Sequence, residues 1–226
     1  MANDSPVTYK LIIFDWDGTL MDSQERIVNC LSASAVDLNL IKLEPSVLKH
    51  VIGLGLTEAI MTLYPELETP QVQSFAERYR YHFLTANDTP MGLFKNVQIL
   101  LQTLNEQGFL LAIATGKARR GLDRVLQQTQ LVDMFHGSRC ADETRSKPHP
   151  LMLEELLNEF GLTPDEAIMI GDTEYDMMMA DSIKMDRLAV GYGVHDKQAL
   201  LKHDPLGCVD SVNALSQWLT NCQSAW

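Results

Sequence analysis

Four short apolar runs, each stopping abruptly, constrain the fold of this chain more than any other feature. The runs are Tyr9 to Phe14, Phe109 to Ala114, Ala167 to Ile170 and Leu188 to Val190, and they stop at Asp15, Thr115, Gly171-Asp172 and Gly191. Because they are continuously apolar rather than alternating, each predicts a strand buried on both faces of a sheet. Amphipathic helical stripes lie between them, at Phe94 to Leu104 and Leu151 to Phe160. Strands that alternate with helices predict an α/β fold with a doubly wound parallel sheet.

One long stretch interrupts this alternation. From Asp22 to Thr89 the sequence shows helical stripes separated by proline and glycine, and it contains no convincing strand. The clearest helix is predicted for Gln71 to Leu84, and Thr89 to Gly92 has the composition of a turn that returns the chain to the sheet. This helical insertion after the first strand would stand over the carboxyl ends of the strands, where doubly wound sheets bind ligands.

Charge balance and cysteine content exclude several classes of protein. The 30 Asp and Glu residues against 18 Lys and Arg give a formal charge of −12, which would repel both nucleic acid and an anionic membrane surface. No apolar run approaches the length of a membrane span, and residues 1–6 lack the pattern of a signal peptide. The cysteines lie far apart and predict reduced thiols in a cytoplasmic protein; they are Cys30, Cys140, Cys208 and Cys222.

Asp15 and Asp17 follow the first apolar run directly, in the motif Asp-x-Asp-Gly-Thr. In an extended chain the two carboxylates point to the same side. Carboxylates this close repel by roughly 1–4 kcal/mol, so the pair persists only if one is protonated or a cation lies between them. The pattern therefore favours a site for chemistry over a solvated acidic turn, and Gly18 suits the tight turn that follows.

A second motif, Thr115-Gly116-Lys117, follows the second apolar run and precedes a predicted helix. A hydroxyl and backbone N–H groups at such a junction form a cradle for an anion. Thr115 and Gly116 are therefore candidate phosphate-binding residues, and Lys117 is interpreted as a solvated surface lysine.

A third motif is Lys147-Pro148-His149-Pro150, just before the predicted helix that begins at Leu151. The two prolines restrict the backbone of this segment. Lys147 would then be held on a stiff loop as a point charge for an anion, and His149 is interpreted as a helix-entry residue.

The fourth motif is Gly171-Asp172-x-x-x-Asp176, which follows the third apolar run. If a helix begins there, Asp176 lies four residues on and shares a face with Asp172. Two in-phase carboxylates favour a site that binds a metal or a lysine over a simple helix cap. The adjacent run Met177 to Met179 is interpreted as core packing.

Together the four motifs resemble those of the haloacid dehalogenase superfamily of phosphatases, in the branch similar to phosphoglycolate phosphatases. They occur in the family's order along the whole chain. The resemblance implies a Rossmann-like catalytic core of residues 1–20 and 91–226, with a small α-helical cap domain inserted after the first strand as residues 21–90. The family often has Asn where Gly116 stands, and the backbone N–H of the cradle remains.

The resemblance also implies catalytic roles. Asp15 is expected to attack the phosphorus atom and become an aspartyl-phosphate. Asp17 is expected to protonate the leaving alkoxide and then to deprotonate the attacking water. Thr115 and Lys147 are expected to hold the transferring phosphoryl group, with Gly116 in the same phosphate cradle.

Magnesium is the implied cofactor. Its expected ligands are the carboxylates of Asp15 and Asp172 and the main-chain carbonyl of Asp17. Asp176 is expected to support that shell or to pair with Lys147. Such a ligand set suits Mg²⁺, which prefers a few carboxylate oxygens together with phosphate and water.

These implications predict a Mg²⁺-dependent phosphatase that hydrolyses a small phosphorylated metabolite, as a monomer or weak dimer with no nucleic-acid or membrane partner. Two alternatives stay open: a sugar-phosphate mutase, which uses the same carboxylate pair, and a non-catalytic regulatory protein on the same scaffold. The sequence does not identify the substrate. Residues of the insertion that could face the site are interpreted as surface or packing residues; they are Asp22, His50, Arg78 and His82.

Overall fold

The computed structural model describes residues 8–221 and 223–224. Its strands are β1 (Thr8–Tyr9), β2 (Leu11–Phe14), β3 (Met21–Asp22), β4 (Gly92–Leu93), β5 (Leu110–Thr115), β6 (Gly137–Cys140), β7 (Ala167–Gly171), β8 (Asp186–Val190), β9 (Cys208–Val209) and β10 (Gln223–Ser224). Its α-helices are α1 (Gln24–Asp37), α2 (Pro45–His50), α3 (Leu56–Leu63), α4 (Thr69–Tyr81), α5 (Val97–Glu106), α6 (Arg119–Thr129), α7 (Leu151–Phe160), α8 (Glu174–Ser182), α9 (Lys197–Leu201) and α10 (Val212–Thr220).

The central sheet confirms the predicted parallel topology. Within the described residues it has six strands in the order β6-β5-β2-β7-β8-β9, and each neighbouring pair is parallel. The predicted runs form β2, β5, β7 and β8, each ending within one residue of the predicted stop. Tyr9 lies in β1 instead, which pairs with β10 outside this sheet.

Two strands of the sheet have no counterpart among the predicted runs. β6 has the sequence Gly-Ser-Arg-Cys and lies at one edge, and β9 has two residues and lies at the other. Edge strands are covered on fewer sides than central ones, so their sequences need no continuous apolar run.

Helices cover both faces of the sheet, as the continuous apolar strands require. In β2, Ile12 and Phe14 belong to a core with α5, α6 and α10, whereas Leu11 and Ile13 belong to a core with α7 and α8. Alternate side chains of a strand point to opposite faces. Burial on both faces therefore requires that β2, between β5 and β7, be apolar at every position.

The helical insertion has a hydrophobic core of its own, formed by side chains of α1 to α4 such as Leu31, Ile60 and Phe75. The helix predicted for Gln71 to Leu84 is α4, which begins at Thr69 and passes into a π-helical turn at His82–Ala86. Where the chain leaves and rejoins the sheet, β3 and β4 pair antiparallel. The exact limits of the two units, 1–20 with 91–226 and 21–90, stay a prediction.

The interpretation of Met177 to Met179 as core packing holds for two of the three residues. Met177 and Met179 are fully buried as predicted, but Met178 is 41% exposed because it lies on the outer face of α8.

Cys30, Cys140 and Cys208 are free thiols, whereas Cys222 and residues 1–6 lie outside the described residues. None of the helices described is long and apolar enough to span a bilayer.

Helix α5 allows a matched test of the core. Leu101 is fully buried against the sheet, whereas Ile99 on the same helix is 63% exposed. We expect Leu101→Ala to lower the free energy of unfolding by about 2–5 kcal/mol, because it leaves a cavity. Ile99→Ala is expected to change it by about 0.5 kcal/mol or less. Urea unfolding of both variants measures the difference; equal losses would contradict the assigned face of α5.

Candidate active site

The carboxyl ends of three neighbouring strands bring polar side chains together. β5, β2 and β7 lie side by side; Thr115 ends β5, Asp15 follows β2 and Asp172 follows β7. Lys147 reaches the same place from the loop between β6 and α7. All four residues are at most 2% exposed. The fold therefore gathers one residue from each of the four sequence motifs at one point.

Lys147 joins two carboxylates in the interior. Its Nζ lies 2.7 Å from Asp15 Oδ1 and 2.6 Å from Asp176 Oδ1. The other oxygen of Asp176, Oδ2, accepts hydrogen bonds from the backbone N–H of Thr173 at 3.0 Å and from its hydroxyl at 2.7 Å. Of the two expectations for Asp176, the observed contact is the pairing with Lys147, and the start of α8 holds it there.

Asp172 is held on both sides. Its Oδ1 accepts a hydrogen bond from the Thr19 hydroxyl at 2.7 Å, and its Oδ2 accepts one from the backbone N–H of Val194 at 2.8 Å. Gly18 has a φ of +91°, and a Cβ there would lie 2.1 Å from Asp172 Oδ2. Glycine at this position thus meets both needs, a left-handed turn after Asp17 and close approach of the Asp172 carboxylate.

Burial and mutual repulsion disfavour the charged forms of Asp15 and Asp172. Burial raises the pKa of Asp15 to about 7, although the ammonium of Lys147 opposes the rise. Burial, and then the charges of Asp15 and Asp176, raise the pKa of Asp172 well above its usual value. Burial disfavours the ammonium form of Lys147, but the two carboxylates outweigh it and its pKa is raised. With three carboxylates around one ammonium group, negative charge is in excess in this cluster.

This cluster fits a divalent cation. Oxygens of Asp15, Asp172 and Asp176 lie within 4.8 Å of one another, and Asp15 Oδ2 is buried without a hydrogen-bond partner in the described part of the chain. A hard cation such as Mg²⁺ would satisfy that oxygen and offset the excess negative charge. Both oxygens of Asp176 have partners, Lys147 at Oδ1 and Thr173 at Oδ2, whereas Asp15 keeps Oδ2 available for such a cation, with Asp172 beside it in the cluster.

Asp17 has a separate set of partners. Its Oδ1 accepts a hydrogen bond from the Ser23 hydroxyl at 2.6 Å, and Lys117 Nζ lies 2.8 Å from Oδ2. The Asp17 carboxylate is not part of the metal-ligand cluster found among the described residues. It thus stands beside the cluster, held in place by a hydroxyl and an ammonium group.

The interpretation of Lys117 as a solvated surface lysine was wrong. Its side chain is only 11% exposed, and Nζ lies 5.0 Å from the centre of the Phe83 ring. The helical insertion supplies Phe83, so the environment of Lys117 depends on how that unit sits over the sheet. The position of Lys117 two residues after Thr115 gives the one sequence signal that could have placed it near the site.

Gly116 is a point of close approach between the two units. A Cβ there would lie 2.4 Å from the main-chain oxygen of Leu54 and 2.5 Å from that of Gly53. The neighbouring backbone N–H of Lys117 donates to the Thr115 hydroxyl at 3.2 Å. The junction between β5 and α6 therefore offers a hydroxyl and glycine backbone directly beneath the insertion.

A cleft of about 600 Å³ separates the insertion from the sheet. Asp15, Asp17, Thr115, Gly116 and Lys117 line it from the side of the sheet. Its volume lies within the usual range for small-molecule pockets, about 300–1,000 Å³. A ligand in this cleft would therefore meet the Asp15 and Asp17 carboxylates together with the junction at Thr115 and Gly116, whereas Lys147 and Asp172 are not among the residues that line it.

The residues of the insertion considered from sequence do not line this cleft in the described structure; they are Asp22, His50, Arg78 and His82. Arg78 and His82 both pair with Asp37. The main-chain oxygen of His50 accepts a hydrogen bond from the Tyr175 hydroxyl at 2.9 Å, which ties α2 to α8. Their interpretation as surface or packing residues agrees with these contacts. The Leu151 N–H donates to His149 Nδ1 at 3.2 Å, as expected of a helix-entry residue.

Known proteins are similar to this chain over most of its length. The phosphoglycolate phosphatase of Aliivibrio fischeri is 27% identical over 87% of this chain and 90% of its own length. The pyrophosphatase PpaX of Halalkalibacterium halodurans is 29% identical over 86% of this chain and 89% of its own length. A crystal structure described as a predicted phosphatase from Clostridium acetobutylicum superposes with a TM-score of 0.84 at 25% identity, covering 94% of this chain and 99% of that one.

The profile of one family spans most of the chain. The family described as haloacid dehalogenase-like hydrolase matches residues 12–190. That range includes all four motifs and the helical insertion between the first two. By sequence and by fold, this chain belongs to the haloacid dehalogenase-like hydrolase family.

Proposed function

We propose that this chain is a Mg²⁺-dependent phosphatase that hydrolyses a small phosphate monoester through a covalent phosphoryl group on Asp15. The observation that carries the proposal is the environment of Asp15. One of its oxygens lies 2.7 Å from Lys147 Nζ, and the other is buried without a hydrogen-bond partner among the described residues. A carboxylate oriented in this way is suited to nucleophilic catalysis.

In the first step Asp15 attacks the phosphorus atom, and the bond from phosphorus to the alkoxide oxygen breaks. Asp17 gives that oxygen a proton, so the alcohol leaves neutral. In the second step Asp17 takes a proton from water, the water oxygen bonds to phosphorus, and the bond from phosphorus to Asp15 breaks. Ser23 and Lys117 keep the Asp17 carboxylate in place through both steps.

The transferring phosphoryl group carries negative charge that fixed donors must stabilise. We assign this role to the Thr115 hydroxyl, to the backbone at Gly116 ahead of α6, and to the ammonium of Lys147. Asp176 acts as a positioning residue, because it holds Lys147 at 2.6 Å from its own Oδ1.

Asp15 and Asp172 are the carboxylates proposed to hold Mg²⁺, with the main-chain oxygen of Asp17 as a third protein ligand. When bound, Mg²⁺ neutralises charge on the phosphoryl oxygens and on the carboxylates around them. The chain's own contribution is the rigidity of the ligands: Thr19 and Val194 fix the two oxygens of Asp172.

The proposed substrate is a small phosphorylated metabolite. A sugar-phosphate mutase would use the same carboxylate pair, and its product would be an isomer formed through a bisphosphorylated sugar. Phosphorus NMR of the reaction with a sugar monophosphate separates the two: release of inorganic phosphate supports the phosphatase, and isomerisation without net release supports the mutase. A regulatory protein would give neither reaction.

The first test of this mechanism removes the nucleophile. We expect Asp15→Asn to lower kcat for p-nitrophenyl phosphate by at least about 1,000-fold, since an amide cannot replace the attacking carboxylate. Asp181→Asn is a matched control, because the side chain of Asp181 is 64% exposed and lies outside the cleft. Retention of more than a tenth of the activity in Asp15→Asn would contradict the mechanism.

Removal of divalent metal is the second prediction. Treatment with EDTA should abolish turnover, and added Mg²⁺ should restore it, because excess negative charge at Asp15 and Asp172 otherwise repels the phosphoryl group. Equilibrium dialysis with inorganic phosphate should show that binding is lost in parallel. Unchanged turnover in EDTA would refute the metal requirement.

A further inference from the structure

Three arginines line the cleft without an ion-pair partner in the described part of the chain. Arg80 lies on α4 of the insertion, and Arg120 and Arg124 lie on α6 beside the sheet. All three are exposed to solvent. Other arginines have carboxylate partners, namely Arg78, Arg119, Arg139 and Arg187. In a chain with a formal charge of −12, unpaired cations at one opening create a local attraction for anions.

The three arginines line one cleft from two sides. Arg120 and Arg124 are four residues apart, so they share one face of α6 and are offset by roughly 6 Å along its axis. Arg80 reaches the same cleft from the insertion. Asp123, their acidic neighbour on α6, pairs with Arg119 at 3.3 Å and does not neutralise them.

The remaining charged groups of the cleft do not cancel this positive charge. Lys117 is paired with Asp17 at 2.8 Å. The Arg26 guanidinium donates to main-chain oxygens of the insertion, with the shortest contact 2.7 Å from Asn87 O. The Asp142 carboxylate accepts the first N–H of α6 at 2.8 Å. The lining as a whole carries five cationic side chains, the three arginines with Arg26 and Lys117, against four carboxylates, those of Asp15, Asp17, Glu58 and Asp142.

Apolar side chains also line this cleft. They include Phe83, Leu84, Met91 and Val125. A volume of about 600 Å³ is of the size that encloses ligands much larger than a two-carbon phosphoester. The cleft therefore combines buried polar residues of the candidate active site, apolar side chains and three solvent-exposed arginines.

We propose that the preferred substrate is a phosphate monoester with a second anionic group, a phosphate or a carboxylate, at the far end of an apolar or ring-containing body. Arg80, Arg120 and Arg124 bind that second group while Asp15 attacks the first. This inference rests on the proposed phosphatase function and adds the class of substrate to it. Charge-assisted hydrogen bonds from arginine suit both phosphate and carboxylate.

The test compares three esters of equal chain length: hexyl phosphate, α,ω-hexanediol bisphosphate and hexanoate that carries an ω-phosphate. We expect kcat/KM for at least one doubly anionic ester to exceed that for hexyl phosphate by about tenfold or more. The two equivalent ends of the bisphosphate account for only a factor of two. The difference should lie mainly in KM, because the second group does not react.

Substitution of each arginine tests whether it contributes to the preference for a doubly anionic ester. Arg80→Gln, Arg120→Gln and Arg124→Gln should each lower the ratio of kcat/KM values between doubly anionic ester and hexyl phosphate by about three- to tenfold. Arg78→Gln is the control, since Arg78 lies on α4 near Arg80 but pairs with Asp37 outside the cleft. It should leave both the ratio and the hydrolysis of hexyl phosphate within about twofold.

The outcomes separate the two proposals. Turnover of hexyl phosphate with a ratio of two or less, or a ratio that all three arginine variants leave unchanged, would overturn the distal anion site. No hydrolysis of any ester would overturn the phosphatase proposal instead. In that event calorimetric binding of the same esters still decides the site: tighter binding of a doubly anionic ester that Arg120→Gln weakens supports it, and equal binding refutes it.

Discussion

The buried contact of Lys147 with Asp15 and Asp176 is the interaction on which the rest of the site depends. An ammonium group with no exposed side-chain surface is stable only when nearby charges replace the water it has lost. Those charges come from the end of β2 and the start of α8, whereas Lys147 comes from the loop before α7. One ionic contact thus fixes three segments of the chain relative to one another.

The same contact explains why an acidic chain can serve anionic substrates. One ammonium among three buried carboxylates leaves negative charge uncompensated, and burial raises the pKa of Asp15 to about 7. Such a cluster favours a divalent cation, which neutralises the excess of negative charge. Solvent-exposed arginines such as Arg120, without an ion-pair partner among the described residues, add positive charge to the lining of the cleft. The net charge of −12 therefore describes the whole surface and not the path of the substrate.

Sequence patterns predicted the parts of this structure that local physics determines. A strand covered on both faces must be continuously apolar, so β2, β5, β7 and β8 could be predicted from the sequence. The motif residues that follow these strands lie close together because the carboxyl ends of parallel strands meet at one edge of the sheet. The edge strand β6 could not be predicted in this way, since an edge strand does not need a continuous apolar run. Lys117 and the arginines of the cleft were missed because their surroundings depend on how the insertion sits over α6, which no local pattern reports.

The stereochemical course at phosphorus tests the central claim, that Asp15 forms a bond to the transferred group. An aryl thiophosphate ester made chiral with oxygen isotopes would be hydrolysed in isotopically labelled water, and the configuration of the product read by phosphorus NMR. Two successive displacements, the first by Asp15 and the second by water, predict retention of configuration. Inversion would mean that water attacks phosphorus directly, and it would contradict the account.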